Sequence, residues 1–224
     1  MISPLLANVY LHYVLDVWFE QEVKPRLHGR AWLVRYADDF VMGFTCERDA
    51  RRVLDVLPKR FGKYGLTIHP DKTRLVRFMR PGSSPRTASG AVVPPESFDF
   101  LGFTHYWSRS KKGNWVVKRK TAGSRFRRFL RMIADWCRRN RHLAPGEQYQ
   151  GLWPKLKGHF QYYGVIGNLE CLWCMRFRVF CTWKKWLSRR SHEAYWTWAR
   201  FHEFLRFRPM PVPRIYWPPP QAKP

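Results

Sequence analysis

The sequence predicts an α+β protein in which helix and antiparallel hairpins come first and a cationic, helical part follows. Three observations predict it. Short apolar, β-prone runs flank the adjacent acids Asp38 and Asp39, whereas from Lys118 onward apolar residues recur at threes and fours. Pro, Gly and Ser concentrate between these stretches, at residues 80–97. Charge is lopsided: the first 107 residues carry 15 Lys and Arg against 11 Asp and Glu, and the rest carry 26 against 5.

Met1 to Val23 reads as a helix after Pro4, with Leu6, Val9, Tyr10, Tyr13, Val14, Val17 and Trp18 on one apolar face and Asn8 polar within it. Pro25 to Arg30 is a linker that turns at Gly29. Leu33 to Phe44, LVRYADDFVMGF, reads as a tight hairpin with both acids at its tip. Two neighbouring carboxylates repel unless a hard divalent cation takes their oxygens; the other reading is an Asp-rich solvated turn. Cys46 to Tyr64 reads as a helix capped by Thr45 and kinked or split at Pro58. Leu66 to His69 is a short strand, Pro70-Asp71 a turn, and Arg74 to Phe78 a strand with one basic face.

Phe98 to Phe103 begins a hairpin that turns at Lys111 to Asn114 and returns through Trp115-Val116-Val117. Beyond it, arginines at 125, 127, 128, 131, 138, 139 and 141 interleave with Phe126, Phe129, Leu130, Ile133 and Trp136, an amphipathic helix ended by Pro145-Gly146. Three more helices follow, at Tyr149 to Tyr163, Leu169 to Arg190 and Tyr195 to Arg206, then a Pro-rich, extended and mobile tail from Pro209. Trp183, Trp186, Trp196 and Trp198 either fill helix interfaces or stack on bases.

The net charge of +25 and a pI of about 10.6 point to a polyanion as partner, and nine of the 12 Trp in the basic half suggest stackable faces. Five cysteines, without a signal peptide or long apolar span, fit a reducing cytoplasm and no membrane. Cys171 and Cys174 lack a second ligand pair for zinc and read as packed thiols.

Tyr36-Ala37-Asp38-Asp39 resembles the catalytic box of reverse transcriptases, and the surrounding chain resembles one branch, the bacterial group II intron reverse transcriptase/maturase. Ile2-Ser3-Pro4-Leu5-Leu6-Ala7-Asn8 is similar to the segment after a Gly-rich turn in that family. Gly65 to Thr73, GLTIHPDKT, is similar to its next motif, and Phe98 to Phe103, FDFLGF, to the one after. Gly158 to Gly164, GHFQYYG, resembles the thumb/maturase signature. The order and spacing fit almost to the Pro-rich end.

The resemblance implies a partial polymerase palm (helix plus antiparallel hairpins) at 1–80, a flexible loop at 81–97, and a primer-grip-like hairpin at 98–119. A helical thumb/maturase RNA-binding domain at 120–207 and a Pro-rich tail at 208–224 complete it. It implies RNA-templated DNA synthesis at a two-metal Mg²⁺ site to which Asp38 and Asp39 contribute, incomplete without an Asp on an upstream strand that this chain is expected to lack. Lys72 is implied as the acid that protonates pyrophosphate, against a plain phosphate-neutralising or surface charge. Tyr36 would border the primer terminus, and Gly102 would allow close approach to nucleic acid or a tight packing contact. Arg125, Arg127, Arg128, Arg131, Arg138, Arg139, Lys155, Lys157 and His159 are the candidate nucleic-acid contacts. Implied partners are group II intron RNA, an RNA template/DNA primer duplex, deoxynucleotides, and a separate N-terminal half or a second copy. The competing expectation is an inactive, truncated relic that only binds RNA through its basic helices.

Overall fold

A computed structural model describes residues 3–82, 95–190 and 195–217. The chain divides into two compact units, Met1–Leu101 and Gly102–Pro224. The first mixes helices with antiparallel strands and the second sets a hairpin before four helices, so the class is α+β.

In the first unit, helix α1 (Ser3–Leu11) runs on through widened turns at His12–Val17 and Phe19–Val23 and a tight one at Lys24–Arg26. Widening brings residues four apart nearly into line. Leu15, Phe19 and Val23 form the buried row, with Val14 and Trp18 beside it. The expected apolar face is therefore only partly used. Leu6, Val9, Tyr10 and Tyr13 stay exposed, because the sheet and the next helix cover the later turns alone.

Strands β1 (Ala31–Tyr36) and β2 (Asp39–Phe44) form an antiparallel hairpin, and helix α2 (Glu47–Lys63) follows. On α2 the buried residues Val53, Leu57 and Phe61 sit four apart, one stripe against Ala31, Leu33, Phe40 and Met42. Glu47 and Asp49 lie at its positive end, Arg60 and Lys63 at its negative end. Two expectations for this helix fail. Cys46, not Thr45, precedes it; the Thr45 hydroxyl instead accepts from the Arg30 amide at 2.9 Å, tying the strand ends together. Pro58 does not split it. It lies on the exposed side, and burial of Val53, Leu57 and Phe61 at roughly 1.5–3 kcal/mol each outweighs the lost ladder bond. Asp49 is 1% exposed and accepts the amides of His28 and Gly29, both at 2.9 Å. Those bonds, the Gly29 amide first, hold its carboxyl below the usual carboxylate range.

The stretches Leu66 to His69 and Arg74 to Phe78, expected as strands, are extended chain around a single turn, Pro70–Lys72. Leu66 and Ile68 pack on the core, and in the second stretch the Arg77 carbonyl accepts from the Glu96 amide at 3.1 Å, with no strand ladder formed there among the described residues. Most of the expected flexible loop, 83–94, lies outside the described residues. Strand β3 (Phe98–Phe100) closes the unit, with Phe98 edge-to-face on Phe78 at 4.9 Å.

In the second unit, strands β4 (Phe103–Arg109) and β5 (Trp115–Thr121) pair from Phe103↔Thr121 to Arg109↔Trp115. Gly113, at φ +80°, makes the turn. Residues 118–121 thus belong to the strand, and helix α3 (Gly123–Arg139) starts later than the periodicity suggests. Nor does Pro145-Gly146 end α3. Asn140 closes that helix by donating to the Trp136 carbonyl at 2.8 Å, and Pro145 opens α4 (Pro145–Tyr163), where a missing N–H costs nothing.

Helices α3, α4, α5 (Leu169–Leu187) and α6 (Trp198–Phe207) enclose Ile133, Leu152, Leu156, Phe160, Met175, Val179, Trp183 and Phe201. Trp183 is fully buried and donates to Gln148 at 2.9 Å. The Pro-rich end is docked as far as Trp217, contrary to a mobile tail. Pro209 and Pro211 accept from Tyr149 and Arg176, both at 3.1 Å, and the Tyr216 amide donates to Gly164 at 2.7 Å. Residues 218–224 of the expected tail lie outside the described ones.

Candidate active site and nucleic-acid face

Tyr36 and Asp39 form the last pair of the β1–β2 ladder, which leaves Ala37 and Asp38 as a two-residue turn. Asp38 alone occupies the tip and Asp39 is the first residue of β2, whereas the sequence reading puts both at the tip. Two-residue hairpin turns demand positive φ, and here Ala37 supplies it at +53° without being Gly. That conformation costs an L-residue roughly 1–2 kcal/mol. Alternation along β1 sends Trp32, Val34 and Tyr36 outward and Ala31, Leu33 and Arg35 toward the helices. Both carboxylates are exposed. Among the described residues neither forms an ion pair or a hydrogen bond, so the oxygen atoms of both stand open to solvent.

Behind the turn, Arg35 grips Asp16 with two hydrogen bonds, Nε to Oδ1 at 2.8 Å and Nη2 to Oδ2 at 2.6 Å. Its remaining Nη1 donates to Asn8 Oδ1 at 3.0 Å and to the Ala37 carbonyl at 2.9 Å. The Arg35 bonds hold the Asp16 carboxyl below the usual carboxylate range. Sequence reading missed this network. The signal was available: an arginine in phase with Ala31 and Leu33 on the inward face of a strand requires a carboxylate near it.

Hard oxygen donors without partners suit Mg²⁺, which takes one or two carboxylates and completes its shell with water and phosphate. The pair therefore fits part of a magnesium site. Among the described residues no group of three or more His, Cys, Asp or Glu is placed to hold a metal. Lys72 is exposed in the Pro70–Lys72 turn and forms no ion pair among the described residues.

In the second unit, Arg127, Arg128, Arg131, Arg138 and Arg139 project from the side of α3 opposite its buried Ile133 and Cys137, and Arg125 is exposed at its start. None pairs with a carboxylate among the described residues. Lys155 and Lys157 lie half-buried over the indoles of Trp136 and Trp153, at 5.5 and 4.8 Å. His159 is corrected from a phosphate contact to a core residue. It is buried between the rings of Phe129 and Tyr163, at 4.0 and 4.6 Å, and burial pushes its pKa down to about 4, so it presents no charge at neutral pH.

At Gly102, φ +79°, a Cβ would stand 2.8 Å from the Tyr163 hydroxyl, so the close approach there is made by the protein's own tyrosine. Trp183 and Trp196 are core, Trp186 is half-buried, and Trp198 is exposed beneath Lys184 at 5.1 Å. Cys171 is half-buried and Cys174 exposed, so only the first fits the packed-thiol reading.

Residues 1–105 match the family model for reverse transcriptase (RNA-dependent DNA polymerase), somewhat less than half of the 224 residues. The match takes in the whole first unit, including the acidic turn. No curated protein matches the chain. Among the described residues no helix is long and apolar enough to cross a membrane.

Proposed function

We propose, from the reverse transcriptase match over residues 1–105, that this chain is the palm and thumb/maturase portion of a group II intron-encoded RNA-directed DNA polymerase. The observation that carries the reading is the pair of exposed carboxylates at Asp38 and Asp39, without a partner among the described residues, within the matched segment. In the reaction a primer 3′-hydroxyl attacks the α-phosphate of a deoxynucleotide and pyrophosphate departs. Asp38 and Asp39 would hold Mg²⁺, which when bound neutralises phosphate charge and activates the hydroxyl, with a further carboxylate supplied from outside these residues. Tyr36 would flank the primer end, and Lys72, exposed in its turn, would donate a proton to pyrophosphate. The α3 arginines take backbone phosphates of template, primer or intron RNA, giving affinity without sequence reading. The same grip supports intron folding for splicing, which needs binding and no chemistry from the protein.

The test is primer extension on an RNA template with Mg²⁺, using the chain together with an upstream half that bears the further carboxylate. Asp38→Ala is expected to lower synthesis by about a thousandfold or more, the scale of losing several kcal/mol of charge stabilisation. Equal synthesis by the variant refutes the metal role. A second reading, an RNA-binding protein without polymerase activity, is favoured because no third His, Cys, Asp or Glu joins Asp38 and Asp39 among the described residues. Robust synthesis by the chain alone refutes that reading.

A further inference from the structure

We infer that Arg35 is the positioning residue of the acidic turn: anchored on Asp16, it pins the Ala37 backbone so that Asp38 and Asp39 present their carboxylates together to a cation. The inference rests on the metal-binding reading above.

Four hydrogen bonds converge on one guanidinium. The two to Asp16 form a parallel fork, which fixes the plane and rotation of the group as well as its place. With the plane fixed, the N–H directions of Nη1 are fixed too, and Nη1 donates to Asn8 Oδ1 and to the Ala37 carbonyl. The Asn8 amide is itself oriented, because Nδ2 donates to the Pro4 carbonyl at 3.1 Å. Ala37 holds the one strained position of the turn, φ +53°, and its carbonyl precedes Asp38 directly. A turn built on a non-glycine residue in the left-handed region persists only when its surroundings determine it. Here the determinant is visible: Arg35 of β1 reaches the turn, and Asn8 of α1 and Asp16 of its continuation hold Arg35 from outside the hairpin.

The side chains of Arg35 and Asp16 are 13% and 24% exposed, so solvent screens the pair only in part. Lysine at 35 keeps the charge but loses the fork, and with it the directed donation to the turn. A positioning role therefore separates from a charge role in a single substitution.

The test uses the whole chain labelled with ¹⁵N and Mn²⁺ as a paramagnetic stand-in for Mg²⁺. Broadening of the amides of residues 36–40 reports affinity at the turn, and thermal unfolding is followed in parallel. Arg35→Lys is expected to weaken Mn²⁺ about tenfold, the lower scale for losing a group that orients a metal-bound carboxylate. Asn8→Ala, which leaves the Asp16 fork intact, is expected to weaken it less but measurably. It serves as the deciding variant should Arg35→Lys fail to fold. Wild-type affinity in a folded Arg35→Lys, or in Asn8→Ala when that variant decides, overturns the inference and leaves the metal reading standing. Broadening that is absent from the wild type, or unchanged in Asp38→Ala, removes the metal from the turn and overturns both.

Discussion

At the scale of single residues, the acidic turn concentrates its strain in Ala37. The left-handed φ of +53° is a conformation glycine adopts freely. Ala37→Gly is expected to relieve it and to stabilise the first unit by up to about 1 kcal/mol, less the extra freedom glycine gives the unfolded chain. Chemical denaturation read by the fluorescence of Trp18, which is buried in that unit's core, measures it. A loss of stability would mean that the turn is held more tightly than its φ suggests. Residue identity was easy to read here and geometry was not. Adjacent acids between apolar runs announce a hairpin, but Asp38 and Asp39 look alike in sequence. Only the ladder register puts one in the turn and the other in a strand. The Arg35 fork spans 19 residues to Asp16 and 27 to Asn8, beyond any local pattern.

Among the elements, helix α4 carries the clearest electrostatic consequence. His159 has no partner for Nε2 among the described residues, and its folded pKa of about 4 lies below the ordinary 6.5. Between these values the unfolded chain binds a proton that the folded one refuses. Stability is therefore full above pH 6.5 and falls as pH drops toward 4, by about 3 kcal/mol at most. His159→Phe is expected to remove one proton from the pH dependence of unfolding in that window; an unaltered slope would refute the buried, neutral assignment. The end of the same helix shows why Pro-rich composition misled. The strap of residues 209–217 is extended, as its prolines require, yet it crosses Gly164. There a Cβ would meet the Phe160 and Arg214 carbonyls at 2.5 and 2.6 Å. Gly164→Ala is expected to cost about 1–3 kcal/mol by overpacking and to expose the strap to limited proteolysis. An intact strap at wild-type stability would show that the backbone yields there. Composition also misplaced two boundaries. Lys118 and Lys120 are cations within a strand, and Pro145-Gly146 punctuates equally well before a helix or after one.

For the molecule as a whole, the division at Leu101 and Gly102 separates nearly neutral from strongly basic chain. The α+β class, the helices and the paired strands on either side of two turns were legible because burial imposes periods of two and of three to four on apolar residues. What pairs with the charges was not legible, since a cation on a helix reads the same with or without a carboxylate beside it. Six exposed α3 arginines without such a partner among the described residues give the prediction proper to this scale. Filter binding of a structured RNA is expected to weaken steeply with salt, with a log–log slope of about −4 to −6 if most of the six meet phosphate. Reversing the charge of Arg128 and Arg131 together should flatten that slope by about 2. A slope near zero in the wild type would exclude the phosphate role.

The strap over Gly164 also bears on how the protein is made. Its residues are the last described ones to leave the ribosome, so α4 and α5 emerge while the site later filled by Met210 still stands open. The second unit therefore closes last around Met210, and until the strap emerges the nascent helices offer apolar surface to chaperones.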